Sequence, residues 1–144
     1  IWDASEKEYV KVKVPKMGFV NQPRKTLCYG VAYKYSGQTH PLEKETPVYV
    51  EQLFKVTNTM FEVNTNNCLM NIYSNGYHSI SAHSDDEEQM GDLADVYCWS
   101  IGAPRKAVFR NKKTLEKFVI EIPEGLYVMR GPNFQRDFTH EFPK

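Results

Sequence analysis

The 144-residue chain has little cysteine, no net charge and no long apolar run, and each absence excludes a class of protein. Cys28, Cys68 and Cys98 are odd in number and widely spaced, with no C-x-x-C pair, which argues against a disulfide framework and a zinc ribbon. The 18 basic and 18 acidic residues cancel, so no global field attracts nucleic acid. Apolar runs of only a few residues are far too short to cross a membrane.

The first 14 residues carry lysine and glutamate throughout and include no apolar stretch of signal-peptide length. This start, together with the cysteine usage, predicts an intracellular protein of the cytoplasm or nucleus. The length predicts a single domain over residues 1–144. Position 1 is isoleucine rather than methionine, so we expect an excised or truncated segment.

Apolar periodicity predicts a mainly β protein with one flanking helix. Val10, Val12 and Val14 alternate with lysines, as in a half-buried strand. Thr46 is a candidate N-cap with Pro47 at the first helical position, and apolar residues at helical spacing predict a helix over residues 47–60. Short apolar segments separated by turn residues then predict strands at 68–73, 79–83, 95–101, 107–109, 118–122 and 126–129.

Several short strands after one helix favour a sandwich or jelly roll over a parallel sheet. A two-residue hairpin at Asn75-Gly76 would turn Asn71 and Tyr73 away from His83. We therefore expect the chain to pass there from one sheet to another, which would let these side chains point into a common cleft.

His83-Ser84-Asp85 is the segment with the most chemical information. An imidazole and a carboxylate two positions apart lie on the same face of an extended chain. His140, near the end of the chain in Phe138-Thr139-His140, could add a second imidazole. Two imidazoles and one carboxylate form the facial triad of non-haem Fe(II) enzymes. An isolated His-x-Asp is more often a surface pair or a helix cap, so the motif alone does not decide the function.

The charged residues are unevenly distributed along the chain, although the net charge is zero. Six basic residues lie between Arg105 and Lys117, against the single acidic Glu116, whereas residues 85–95 contain six acidic residues and no basic one. Such runs are usually solvated faces. Acidic residues near a cation with basic residues nearby would also suit a metal-dependent enzyme that acts on nucleic acid.

These segments, in their order and spacing, resemble the AlkB-like family of Fe(II) and 2-oxoglutarate-dependent dioxygenases. The resemblance covers residues 21–144. It depends on Pro23-Arg24-Lys25-Thr26 with Tyr29-Gly30, Tyr33-Lys34-Tyr35-Ser36-Gly37, Asn71-Ile72-Tyr73, His83-Ser84-Asp85-Asp86-Glu87, Ser100-Ile101-Gly102-Ala103-Pro104-Arg105, Met129-Arg130-Gly131 leading to Gln135, and His140-Glu141-Phe142-Pro143.

The resemblance implies a double-stranded β-helix (jelly roll) fold and the cofactors Fe(II), 2-oxoglutarate and dioxygen. It implies oxidative demethylation of N-alkylated bases in DNA or RNA, with release of formaldehyde and succinate. The implied partner is methylated single-stranded or locally opened DNA or RNA. No membrane partner is implied, and we expect the protein to be a monomer. The implied roles are iron binding by His83, Asp85 and His140, 2-oxoglutarate binding by Asn71 and Tyr73, and substrate binding by Tyr33, Tyr35, Glu87 and Arg105.

One departure from the family pattern keeps alternatives open. The family continues past the second histidine into a strand whose arginines pair with 2-oxoglutarate, and this sequence stops at Lys144. We therefore expect a jelly roll that lacks its last strand in this chain. A dioxygenase that hydroxylates a protein or a small molecule, and a non-catalytic binding module, are the alternative functions.

Overall fold

A computed structural model describes residues 8–32, 34–35, 38–91 and 95–144. The chain divides into two compact units, residues 1–74 and 75–144. Within the described ranges, no helix has the length and apolar character needed to span a membrane.

The described residues of the first unit form six strands and one long helix. The strands are β1 (Lys11–Val14), β2 (Gly18–Asn21), β3 (Lys25–Gly30), β4 (Lys34–Tyr35) and β5 (Gln38–Thr39), and the helix is α1 (Val48–Phe61). A sixth strand, β6 (Asn67–Ile72), follows the helix. Each of the pairs β1–β2, β3–β6 and β4–β5 is antiparallel.

The core of this unit forms where α1 packs on one face of the β3–β6 pair. Leu27, Tyr29 and Val50 are buried there, and Phe54, Cys68, Met70 and Ile72 pack against them. Since successive strand residues point to opposite faces, Thr26 and its cross-strand partner Asn71 lie on the face opposite to this core. Burying a side chain such as Leu27 stabilises the fold by roughly 1.5–3 kcal/mol.

Gly30 ends β3 where the chain needs a residue without a side chain. Its φ is +85°, and a Cβ at this position would lie 2.1 Å from the carbonyl oxygen of Asn66. The close approach lets Val31 N donate to the same oxygen at 2.9 Å. Glycine is therefore required by both conformation and space.

The described residues of the second unit form six strands and two short helices. The strands are β7 (Ile80–His83), β8 (Val96–Ser100), β9 (Arg105–Asn111), β10 (Lys117–Ile122), β11 (Gly125–Met129) and β12 (Phe138–Phe142). A 3-10 turn covers Glu88–Met90, and α2 covers Pro132–Asp137. The four-stranded sheet has the order β10-β9-β12-β7, and β11 pairs with β8.

The predicted mainly β fold is confirmed, and its double-stranded β-helix class agrees with this arrangement of short antiparallel strands. The predicted change from one sheet to another at Asn75-Gly76 is also confirmed, because β6 pairs with β3 whereas β7 pairs with β12. The predicted cap was wrong by one residue. Pro47, with an extended backbone, is the N-cap of α1 and makes no side-chain cap, and the helix begins at Val48.

Candidate metal centre

His83, Asp85 and His140 come together because β12 lies between β7 and β9 in the sheet. His140 is the cross-strand neighbour of His83 on one side and of Phe109 on the other. Residues directly opposite in an antiparallel pair place their side chains on the same face. The two imidazole rings accordingly lie 4.2 Å apart between centroids.

Asp85 lies just beyond the end of β7 and presents one oxygen to each imidazole. Its Oδ1 is 3.6 Å from His83 Nε2, and its Oδ2 is 3.5 Å from His140 Nε2. One nitrogen or oxygen from each of the three residues lies within 4.8 Å of the others. The predicted convergence of these side chains is therefore found in the structure.

The orientation of His83 determines the tautomer of its neutral imidazole. His83 Nδ1 lies 2.7 Å from the carbonyl oxygen of Ser81, which can only accept, so Nδ1 carries the proton. The lone pair is then on Nε2, the atom that faces Asp85. Metal-binding histidines commonly donate their second N–H to a carbonyl in this way.

Burial disfavours the charged forms of Asp85 and His140 when no cation is bound. It raises the pKa of Asp85 to about 6, with further contributions from Glu87 and Asp86. Burial also lowers the pKa of His140 to about 3, assisted by His83. His140 is thus a neutral imidazole, the form that binds metal, while the Asp85 carboxylate lacks enough nearby positive charge. Two imidazoles and a carboxylate are ligands that Fe(II) accepts, so the residues fit this ion.

The loop that carries Asp85 is held by residues about 50 positions further along the chain. The Asp85 backbone N–H donates to Gln135 Oε1 at 2.8 Å, and Ser84 Oγ donates to the Phe138 carbonyl at 2.7 Å. Gln135 is only 6% exposed. Lys112 Nζ donates to the Gln135 carbonyl at 2.8 Å. The loop is therefore fixed to α2 and to the start of β12.

An aromatic cluster and one carboxylate fix α2. Phe134 stacks on Phe138 at 5.3 Å and meets Phe109 edge-on at 5.8 Å. Asp95 Oδ1 accepts from the Gly131 N–H, the N-cap of α2, at 2.7 Å. Gln135 belongs to one of the segments that resemble the family, but we predicted no role for it from the sequence. Its contact with Asp85 joins positions 50 residues apart, and such a contact leaves no local pattern.

Arg105 donates from its guanidinium Nη2 to two backbone carbonyls, those of His78 and Pro143. These residues lie just before β7 and just after β12, so Arg105 connects the two strands that carry the histidines. Its predicted contact with substrate stays a prediction.

The other predicted site residues lie in several places. Glu87 is half-buried at the start of the 3-10 turn. Tyr33 lies outside the described residues, as does the side chain of Tyr35. In the first unit, Asn71 is on β6 and Tyr73 follows that strand.

A buried arginine orients Asn71. Arg24 is 3% exposed, and its Nε donates to Asn71 Oδ1 at 2.7 Å. This contact assigns the oxygen end of the amide, so the Nδ2 end is the donor that a ligand oxygen could meet. Sequence reasoning missed this pairing, which joins positions 47 residues apart.

Comparison with known proteins adds independent information. A family model described as the 2OG-Fe(II) oxygenase superfamily matches residues 5–144. The chain is 29% identical over 135 residues to DNA oxidative demethylase ALKBH2 of Mus musculus, covering 84% of this chain and 55% of that protein. It is 31% and 33% identical over 138 residues to the alpha-ketoglutarate-dependent dioxygenase alkB homolog 3 of Homo sapiens and Bos taurus, covering 85% of this chain and 46% of each relative. The chain thus spans about half the length of these curated relatives.

Proposed function

Because the chain belongs to the 2OG-Fe(II) oxygenase superfamily, as an AlkB-like member, we propose that it is part of an enzyme that oxidatively demethylates N-methylated bases in nucleic acid. Members of this superfamily use Fe(II), 2-oxoglutarate and dioxygen. The observation that carries the proposal is the convergence of His83, Asp85 and His140, whose ligand atoms lie within 4.8 Å of one another.

In this proposal, Nε2 of His83, Nε2 of His140 and a carboxylate oxygen of Asp85 hold the iron. The Ser81 carbonyl keeps His83 in the tautomer with a free Nε2 lone pair. Gln135 and Ser84 hold the Asp85 loop before any metal arrives, which reduces the entropy lost on binding. When bound, the iron supplies the redox chemistry in which dioxygen and 2-oxoglutarate are consumed and an N-methyl group leaves as formaldehyde.

Asn71 and Tyr73 are proposed to hydrogen-bond 2-oxoglutarate. The contact with Arg24 supports the role of Asn71, because it turns the amide so that Nδ2 is available to donate to a carboxylate or keto oxygen. The buried Arg24 also brings a positive charge beside this amide, which favours an anionic ligand.

The proposed substrate is a methylated base in single-stranded or locally opened DNA or RNA. One relative is named a DNA oxidative demethylase, which supports a nucleic-acid substrate. The exposed Lys113 in the β9–β10 turn and Lys117 at the start of β10 could contact phosphates. Tyr33 and Tyr35 are proposed to stack on the base, a contact worth roughly 1–3 kcal/mol. Glu87 and Arg105 are the other proposed substrate contacts.

Formaldehyde release tests the proposal. The assay uses the longest natural polypeptide that contains residues 1–144, with Fe(II), 2-oxoglutarate, ascorbate and single-stranded oligonucleotides that carry N-methylated bases. We expect formaldehyde in proportion to the methylated base lost, and none from the His83→Ala and His140→Ala variants. Equal release from the wild type and both variants, or no release by a wild type that binds Fe(II), would contradict this function.

A further inference from the structure

Strand β10 is an edge of the four-stranded sheet and exposes apolar side chains. Among the strands that the structure describes, it pairs only with β9. Phe118, Val119 and Ile120 are 44%, 61% and 49% exposed. An edge strand with exposed apolar side chains on both faces is a ready template for another strand.

The backbone groups that β10 leaves for a partner follow from the register. Asn111 N donates to the Glu116 carbonyl at 2.9 Å, next to the pair Arg110–Lys117. Hydrogen-bonded and non-hydrogen-bonded pairs alternate in an antiparallel ladder. Phe118 and Ile120 therefore bond to β9, whereas the N–H and C=O groups of Lys117, Val119 and Glu121 point away from the sheet.

The same three residues make the strand self-complementary. We propose that β10 pairs antiparallel with β10 of a second copy of this chain, about a two-fold axis at Val119. Val119 then lies opposite Val119 of the second copy, and Lys117 lies opposite Glu121. The Val119–Val119 pair and the two symmetry-related Lys117–Glu121 pairs are hydrogen-bonded pairs, so each exchanges two backbone bonds. Between them, Phe118 lies opposite Ile120.

Charge within one copy favours this register. Lys117 is the cross-strand neighbour of Arg110, and like charges directly opposite each other destabilise a sheet. In the paired sheet, Glu121 of the second copy stands on the other side of Lys117 and offsets this repulsion. Glu121 in turn lies between Lys106 of its own copy and the second Lys117. A one-residue slip would lose both charge pairs and the match of outward backbone groups.

The pairing would also cover Phe118, which begins a row of cross-strand neighbours that ends at the candidate metal centre. Phe118, Phe109, His140 and His83 are successive cross-strand neighbours from β10 to β7. Joining two edges would produce one continuous sheet with this row present twice. This differs from the monomer expected from the sequence.

We expect a weak dimer, because each copy contributes little more than residues 117–121. A contact of this size falls below the roughly 1,200 Å² buried in stable specific interfaces. The dissociation constant should therefore be measured by sedimentation velocity and light scattering on the 144-residue chain, from micromolar to millimolar concentration at low salt.

Charge reversal tests the register. Lys117→Glu and Glu121→Lys each place like charges opposite one another twice per dimer, and each should raise the dissociation constant about tenfold. The double variant restores both pairs with the signs exchanged and should recover dimerisation. Lys113→Glu, in the exposed turn outside the register, is the matched control and should leave dimerisation unchanged.

A measurement of stability distinguishes weaker dimerisation from loss of the fold. Lys117→Glu removes the repulsion with Arg110 within one copy, so the free energy of unfolding should not fall. A wild type that is monomeric up to millimolar concentration would overturn the proposal. A dimer that the single reversals leave intact, or that the double variant does not restore, would overturn it as well.

Discussion

Replacing Gln135 by methionine would show how strongly a buried amide holds the metal-binding loop. Methionine has a similar volume and shape, but its thioether is only a weak acceptor and would replace the amide oxygen to which Asp85 N donates at 2.8 Å. Because Gln135 is only 6% exposed, water cannot easily take its place. A buried N–H left without its acceptor costs about 1–3 kcal/mol.

This cost should appear in two measurements. For a chain of this size, a loss of about 2 kcal/mol corresponds to a fall of roughly 6 °C in the melting temperature, followed by circular dichroism. If the free Asp85 loop must be ordered again when metal binds, the affinity should fall about 10- to 100-fold. Calorimetric titration of the apoprotein with Fe(II) under anaerobic conditions measures it.

Gln52→Met is the matched control, because Gln52 is exposed on α1 in the other unit. It should change neither the melting temperature nor the affinity for metal. A Gln135→Met variant that melts and binds Fe(II) like the wild type would refute the reasoning, since the hydrogen bond would then contribute nothing to the position of Asp85.

Three further substitutions test other contacts. Arg105→Lys should lower the free energy of unfolding by about 1–3 kcal/mol in urea titration, since the lysine side chain is one atom shorter and its Nζ does not reach the position from which Arg105 Nη2 donates to two carbonyls; unchanged stability would contradict this. Arg24→Leu should weaken 2-oxoglutarate binding in calorimetry while leaving metal affinity unchanged, because Asn71 loses the contact that orients its amide. Burial raises the pKa of Asp95, but hydrogen bonds from Gly131 N–H and Arg130 outweigh it and lower the pKa below 3.8. The carboxylate therefore stabilises the fold above pH 3.8 and loses this effect as pH falls through its folded pKa. Asp95→Asn should accordingly be less stable than the wild type near neutral pH by about 1 kcal/mol, with a difference that shrinks in acid, and a difference independent of pH would count against this role.

The parts of the fold that the sequence predicts are those with a local period. Alternation placed His83 and Asp85 at the end of a strand, and the 3.6-residue spacing of Val50, Phe54 and Thr57 placed the main helix. The helix α2 escaped prediction because six residues are too few for a periodic signal.

Other features depend on contacts that have no local pattern. Gln135 reaches Asp85 across 50 positions, and Arg24 reaches Asn71 across 47. Arg105 donates to backbone carbonyls, which every residue has, so no side-chain type marks its partners. The resemblance to a family could locate such residues without showing what they contact.

The central claim is that His83, Asp85 and His140 bind one divalent ion. Anaerobic titration with Fe(II) should compare the wild type with Asp85→Asn and Asp86→Asn, since both carboxylates are adjacent in sequence but only Asp85 faces the imidazoles. Asp86 is 64% exposed and contacts Lys112 instead. We predict one ion per chain for the wild type and Asp86→Asn, and loss of binding in Asp85→Asn. Undiminished binding by Asp85→Asn, or equal loss in both variants, would contradict the account.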